Sequence, residues 1–594
     1  MIYLGIIVSH NAGASLMVKG KIVCAVQEER FTGVKNWTGY PKQSIDFCIN
    51  YAKKRKLIID KAGFATINNH AFGHKYPIQH YFNVEDYHRF YTLYYSKRRN
   101  EYRRKYLNDK RNTENLYIDY KNIKTKDEFN LPLYRKLQIN YLKKQSKNLI
   151  KEITFLDHHT CHAYYAFYSS QYRKNNSCIL TLDSEGDGLN QTVWLYKNKK
   201  VINILKNNQC DLARIYKFIT CILKMKPEEH EFKVMGLAAY SKRKYVLDVY
   251  KKVFKNILSV KGIKICHNKR PKDLYGYLRE ATKHYRFDNV AGALQYFVED
   301  IVTQLLKNIY KKYKIENFYF AGGLAMNVKL FKDIANLKFV KYLHVPASGA
   351  DESLSIGACY YMSRNEKSLP ITNIYLGKGL LKTDKNVGYK DLIKLFPSKK
   401  FVIKDNFNHQ KLSVLLSKNE VIAIVRGKEE FGARALGNRS IIANPSQYEV
   451  VKKINESIKN RDFWMPFALT ILKEKHRKFI KNSKNFRSDF MTMTFDTVEK
   501  NVSHISAGCH PYDKTVRPQI LEKKFNPQYY SLIKQFNKIT NIPALLNTSL
   551  NLHGNPVASS LYDVVYTFKN SGLKYLYIDD KFLISKIFEG NKRV

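Results

Sequence analysis

Two apolar runs constrain the fold more than any other feature. SCILTLD (177–183) stops at an acid that opens the turn SEGDG, and NFYFAGG (317–323) stops at a glycine pair. Runs of this length bounded by turn residues read as strands, and the stretch from Gly292 to Tyr313 between them reads as a helix. Alternating strand and helix predicts an α/β structure, in which ligands sit beyond the carboxyl ends of strands. The chain opens in the same idiom: YLGIIVS, a small-residue turn HNAGA, then SLMV and KIVCAV joined by the hairpin signal Lys19–Gly20, and a helix from Pro41 to Lys53.

This α/β portion resumes at Ile153 and runs to about Ser363. SRNEKSLPITN, with its polar residues and Pro370, reads as a linker. A distinct α/β unit follows, from VIAIVRG to YLYIDD. The expected domains are 1–365 and 376–594. No fixed-period repeat is legible, which argues against a solenoid.

No apolar run approaches the length of a membrane span, and MIYLGIIVSH lacks the basic flank of a signal peptide. The nine cysteines are scattered and never form a C-x-x-C pair, as expected of reduced thiols. A soluble, cytoplasmic protein of a bacterium or a virus-infected host is expected, with no membrane partner; the sequence is compatible with an oligomer. The charge is unusual: 102 Lys and Arg stand against 51 Asp and Glu, a net +51. A lysine-favouring AT-rich genome accounts for part of this. A field of this sign also attracts polyanions. The basic residues concentrate beside aromatics between Phe72 and Lys151, where Arg98, Arg99, Tyr102, Arg103, Arg104, Lys105 and Tyr106 have the composition of a nucleic-acid groove, cations on phosphates and rings on bases. The competing reading is a solvated helical face whose tyrosines pack inward.

His158 and His162 in DHHTCH are spaced i, i+4, so a helix presents both from one face. With Asp183 and Asp351 they would form a mixed N/O site suited to a ferrous or related divalent ion. For the pair alone, two surface histidines beside a core helix are the better reading, and the neighbouring His159 also allows a shifted register.

The chain resembles the NodU/CmcH-type O-carbamoyltransferases over nearly its whole length. GIIVSHNAGASL with QEERFT, HHTCHA, TLDSEGDG, FKVMGLAAY, AGGLAMNVKL and ASGADESLSIGA follow the landmarks of a Kae1-like domain of the actin/Hsp70 ATPase (ASKHA) fold. RGKEEFGARALGNRSIIANP, NRDFWMPFA, HPYDKTVRPQ and LLNTSLNLHGNP look like the family's YrdC-like α/β domain. The resemblance implies that Arg434, Arg439, Arg461 and Arg517 gather the phosphates of carbamoyl phosphate and ATP, with Asn547, Thr548 and Ser549 as neutral donors, to make carbamoyl adenylate. It implies that Lys233, Gly322, Gly323 and Asn327 serve the nucleotide in the first domain, with Mg2+ on ATP. It further implies that His158, His162, Asp183 and Asp351 hold the metal, and that His10 is the general base. Ser184, Ala433, Met465, Leu550, His553 and Asn555 depart from the family's pattern.

The family's motifs bind the donor and leave the acceptor open. The charge points to a hydroxymethylated pyrimidine, 5-hydroxymethylcytosine in DNA. The rival acceptor is a small natural product or sugar. A third reading is a non-catalytic, tRNA-associated nucleotide-binding factor.

Overall fold

A computed structural model describes residues 1–68, 80–95, 131–381 and 386–587. They form two compact units, Met1–Ile371 and Thr372–Val594. Among the described residues no helix is long and apolar enough to cross a membrane, and all nine cysteines are buried thiols.

The first unit contains one pattern twice. Strands β1 (Ile2–Ile7), β2 (Gly13–Val18), β3 (Lys21–Gln27), β4 (Ile59–Phe64) and β5 (Ile150–Phe155) form a sheet in the order β3-β2-β1-β4-β5. The first three are joined antiparallel, and β4 and β5 run parallel to β1. The Lys19–Gly20 turn is hairpin-forming as expected, both residues having positive φ.

Strands β6 (Ser177–Gly186), β7 (Leu189–Lys197) and β8 (Lys200–Asn207) repeat the arrangement after a long excursion. Beyond the small hairpin β9 (Leu258–Lys261) and β10 (Lys264–His267), β11 (Asn317–Ala321) and β12 (Tyr342–His344) complete it, in the order β12-β11-β6-β7-β8. Here too the hairpin strands are antiparallel and the last two are parallel to the first. Two sheets of order 3-2-1-4-5 with these polarities are the duplicated core of the actin/Hsp70 ATPase fold. The sequence reading found no repeat because the copies share strand order and differ in connections.

The helices that follow the fifth strands, His158–Tyr168 and Leu354–Met362, cross each other at very short range. A Cβ on Gly357 would lie 2.0 Å from the Cys161 carbonyl oxygen, and one on Gly5 would lie 1.8 Å from that of Ser355. Glycine is required at both crossings. The helix Phe287–Tyr313 begins before the expected Gly292.

The second unit is built on a mixed eight-stranded sheet. Its strands are β13 (Phe401–Lys404), β14 (Ile422–Val425), β15 (Arg439–Ala443), β16 (Ala468–Leu472), β17 (Pro518–Leu521), β18 (Ala544–Ser549), β19 (Tyr575–Ile578) and β20 (Phe582–Lys586). Their order is β13-β20-β19-β14-β15-β18-β16-β17. One face carries a core of Ile441, Leu546, Val564, Phe568 and their neighbours.

Within the basic, aromatic segment the described parts side with the inward-packed reading. On Leu131–Ser146, Tyr134 is 1% exposed in the core of the first sheet, while Lys136, Lys143 and Lys144 face solvent. Tyr141 packs edge-on against Tyr40. On Val84–Tyr95, Tyr87 and Tyr91 are buried, and Tyr91 lies on Phe218 and Tyr275. These rings are unavailable to stack on bases. Arg98, Arg99, Tyr102, Arg103, Arg104, Lys105 and Tyr106 lie outside the described residues.

Candidate functional site

Four turns at equivalent places in the two copies converge. His10 follows β1, and Asp183 lies near the end of β6, the equivalent strand of the second copy. His158 and His162 follow β5, and Asp351 follows β12. His158 Nε2 is 3.0 Å from Asp183 Oδ2 and 3.7 Å from Asp351 Oδ1, and His162 Nε2 is 3.5 Å from each of these oxygens. The four ligand atoms all lie within 4.8 Å of one another, on four buried residues. Bonds of about 2.0–2.2 Å to a common ion would bring their ligand atoms to such separations. His162 is fully buried, yet neither ring nitrogen has a hydrogen-bond partner. That is costly for a group with only protein around it, and an ion would engage the Nε2 that faces the two carboxylates. His159 stands apart from these four: its Nδ1 bonds Thr181 Oγ1 at 2.6 Å inside the core.

The supporting residues were not legible beforehand. Asp157 caps the helix by accepting from the Thr160 amide at 2.7 Å. Asp187 accepts from the backbone N–H of His158 and of Ile67, and from Thr66 Oγ1 and the Asn68 amide. Its own φ of 50° places it in the left-handed region. Gly186 lets the His158 ring approach, since a Cβ there would be 2.1 Å from it. The signal that could have found Asp187 is the Asp-Gly hairpin pair with Gly188.

His10 stands beside this cluster, Nε2 3.4 Å from Asp351 Oδ2 and partly open to solvent. Burial lowers its basicity, but the carboxylates of Asp351 and Glu228 raise it more, leaving its pKa above the ordinary value. His158 is likewise raised to about 9, because Asp351 and Asp183 outweigh the cost of burial. On the same side, the Asp183 Oδ1 accepts from the amides of Ser184 (2.7 Å) and Gly323 (3.2 Å). Gly322 has φ +92°, and a Cβ there would lie 2.3 Å from the Leu182 carbonyl oxygen.

Asn327 requires a correction. Its side-chain oxygen caps the helix Val328–Asn336 through the Leu330 amide, and its amide pairs both ways with Gln295, at 2.9 and 3.1 Å. A helix-capping role occupies the group expected to meet nucleotide. Lys233 sits half-buried on the short helix Glu231–Leu237.

In the second unit Arg461 donates to Thr548 Oγ1 at 3.1 Å and lies over the Phe467 ring. Burial and the charge of Arg434 hold its pKa down at about 10. Arg517 is pushed well below the usual guanidinium range by burial and by both Arg434 and Arg461. The three cations are thus mutual neighbours. Lys459, which the sequence reading missed, joins the same edge: it is 3% exposed and donates to Ser549 Oγ (3.2 Å) and Asn551 Oδ1 (2.7 Å).

Arg439 does not belong to this cluster. It is fully buried and donates to the backbone carbonyls of Ser559, Arg426, Asn438, Gly427 and Lys378. Five carbonyl acceptors use all its donors, so it ties loops together and has none left for phosphate.

The family profile described as carbamoyltransferase N-terminus matches residues 3–360, and that described as carbamoyltransferase C-terminus matches 413–586. The chain belongs to the carbamoyltransferase family. The carbamoyltransferase is 30% identical to the uncharacterized protein MJ1051 of Methanocaldococcus jannaschii, over 98% of this chain and 99% of that one. It is 26% identical to the nodulation protein NolNO of Sinorhizobium fredii, over 97% and 79%. Among solved structures, HypF of T. kodakarensis overlaps 61% of this chain and 47% of its own at 10% identity and a TM-score of 0.31. The fold assignment rests on strand order and polarity instead. As a member of this family the protein is an enzyme that transfers carbamoyl groups.

Proposed function

We propose that the enzyme converts carbamoyl phosphate, ATP and one water to carbamoyl adenylate in the second unit, the water releasing phosphate to leave carbamate, whose oxygen displaces pyrophosphate from ATP, and passes the carbamoyl group to a hydroxyl at the cluster of the first. The observation that carries this reading is the convergence of His158, His162, Asp183 and Asp351 with His10 alongside. Two imidazoles and two carboxylates suit ferrous iron, which when bound would neutralise phosphate charge and polarise the carbamoyl carbonyl. His10 takes the proton of the acceptor hydroxyl at Nε2, the nitrogen turned toward Asp351. Gly322 and Gly323 bring backbone close to the nucleotide, which carries Mg2+ on its phosphates. Arg434, Arg461 and Arg517 bind oxyanions, because a phosphate would relieve the burial and like-charge repulsion that hold Arg461 and Arg517 below the usual guanidinium range. The test separates the halves: His162→Ala should abolish carbamoyl transfer and leave pyrophosphate release intact. Loss of both together would count against two separate reactions.

The proposed acceptor is 5-hydroxymethylcytosine in DNA, single-stranded or flipped out, supported by the net charge of +51 and the run Arg98 to Tyr106. A specific observation favours the second reading, a small polyhydroxyl compound. The tyrosines at 87, 91 and 134 are buried in the protein's own core, and the relatives include proteins named for nodulation. Incubation with ATP, carbamoyl phosphate, Fe(II) and hydroxymethylated DNA, followed by nuclease digestion and mass spectrometry, decides between them. A carbamoyl-sized gain on the hydroxymethyl nucleoside, with DNA affinity falling roughly a thousandfold from low to moderate salt, is expected. A gain on free sugars alone overturns the DNA acceptor.

A further inference from the structure

Beside the arginine cluster of the second unit lies an acceptor with no donor. Asn547 is 1% exposed, and its Nδ2 donates to the carbonyl oxygen of Ala435 and to Thr470 Oγ1, each at 3.2 Å. A backbone carbonyl only accepts, so the amide nitrogen must face Ala435 and the orientation of the side chain is fixed. Its Oδ1 is thereby left buried without a hydrogen-bond partner. Such groups are rare in folded proteins, and this one has a lone pair aimed where no protein donor reaches.

The sheet register places that oxygen. Asn547 on β18 stands opposite Ala468 on β16. Arg517 immediately precedes Pro518, the residue paired with Leu469. Asn547, Ala468 and Arg517 therefore form one row on one face of the sheet, with only a methyl group between the amide and the guanidinium. Arg517 Nε is also buried without a partner. Arg434 is bonded in sequence to Ala435, whose carbonyl orients the amide.

The expectation from sequence was that Asn547 would act as a donor; its donor is spent and the acceptor remains. Carbamoyl phosphate is rich in oxygen acceptors and has one donor group, its amide NH2. Guanidiniums have no lone pair to offer and cannot read that group. We propose that Asn547 Oδ1 accepts a hydrogen bond from the carbamoyl NH2 and is the residue that selects carbamoyl phosphate over acyl phosphates of the same size. This rests on the reading of Arg434, Arg461 and Arg517 as the carbamoyl phosphate site. A site built around a hydrogen bond rejects the analogue lacking the donor, because the buried acceptor then stays unpaired. The methyl group of acetyl phosphate makes it that analogue.

The experiment is equilibrium binding of carbamoyl phosphate, acetyl phosphate and inorganic phosphate to the full chain. Wild type should prefer carbamoyl over acetyl phosphate on the order of 10- to 100-fold. In Asn547→Leu the preference should fall to near one while affinity for inorganic phosphate is kept. Should the leucine variant lose phosphate binding, the smaller Asn547→Ala, which also lacks an acceptor, is read in its place, with the same collapse expected. Equal binding of the two acyl phosphates by wild type overturns the proposal, as does a preference that survives in the variant read. Failure of the underlying site looks different: none of the three ligands binds wild type, or Arg517→Ala leaves phosphate affinity unchanged.

Discussion

Arg434 and Arg439 belong to one motif, and the fold sets them in different surroundings, Arg434 beside other cations and Arg439 among carbonyls. Arg439 satisfies five buried carbonyls, so Arg439→Met strips several donors at once. We expect it to destabilise the second unit by roughly 3 kcal/mol or more, read as a lowered denaturant midpoint. Arg517→Ala should behave inversely, raising half-saturating carbamoyl phosphate about tenfold or more with the unfolding midpoint unchanged or higher, since burial and two like charges already penalise that cation. Steady-state pyrophosphate release and melting curves on the two variants check this contrast. The family resemblance named His158, His162, Asp183 and Asp351, and the fold brings those four together. Residue types alone could not tell an arginine facing carbonyls from one facing an anion, because both need the same planar fork. Nor could they show that Asn327 and Asn547 would have their amides consumed by a helix end and a loop.

The QEERF segment is an architectural device. Glu28 is buried and accepts from the amides of Gln43 and Ser44 and from Ser44 Oγ, so it caps the helix Lys42–Lys54 from outside its own sequence. Glu29 accepts from the Asn36 amide and pins the next loop. The stretch PEEHE works through charge. Glu228 and Glu229 are each depressed to about 2: burial opposes this, and Lys217 with His10 in one case, and Lys35 with Lys226 in the other, overcome it. A carboxylate depressed below its unfolded value stabilises the fold above pH 4.5, and that contribution is lost as the pH falls toward 2. Glu231, raised to about 7 by burial, has the opposite sign: its contribution is present below 4.5 and lost as the pH rises through 7. Lys217→Met should therefore flatten the acid limb of stability between pH 4.5 and 2, measured by urea titration at a series of pH values. At the helix crossing, Gly357→Ala should cost about 1–3 kcal/mol and weaken metal binding too, because it spreads the helix that carries His162 from the one that Asp351 immediately precedes. Periodicity made the helices and strands legible; a crossing this close depends on a partner far away in sequence and left no local trace.

At the scale of the molecule the cluster of two histidines and two aspartates is the seam of a duplication. One copy supplies His158 and His162, and the other supplies Asp183 and Asp351. Fe(II) at a hundredfold excess over its dissociation constant should stabilise the first unit by about 2.7 kcal/mol. A chelator should reverse this and stop carbamoyl transfer while pyrophosphate release continues, as calorimetry and the two assays would show. The sequence held the ligands in order but hid the symmetry that gathers them, since strand order is not written in residue spacing. Because neither copy owns a complete coordination sphere, the distance between the ligands reports the angle between the two sheets. A bound ion would therefore act like the pin of a caliper, tying the angle between the two sheets to the fit of its ligands.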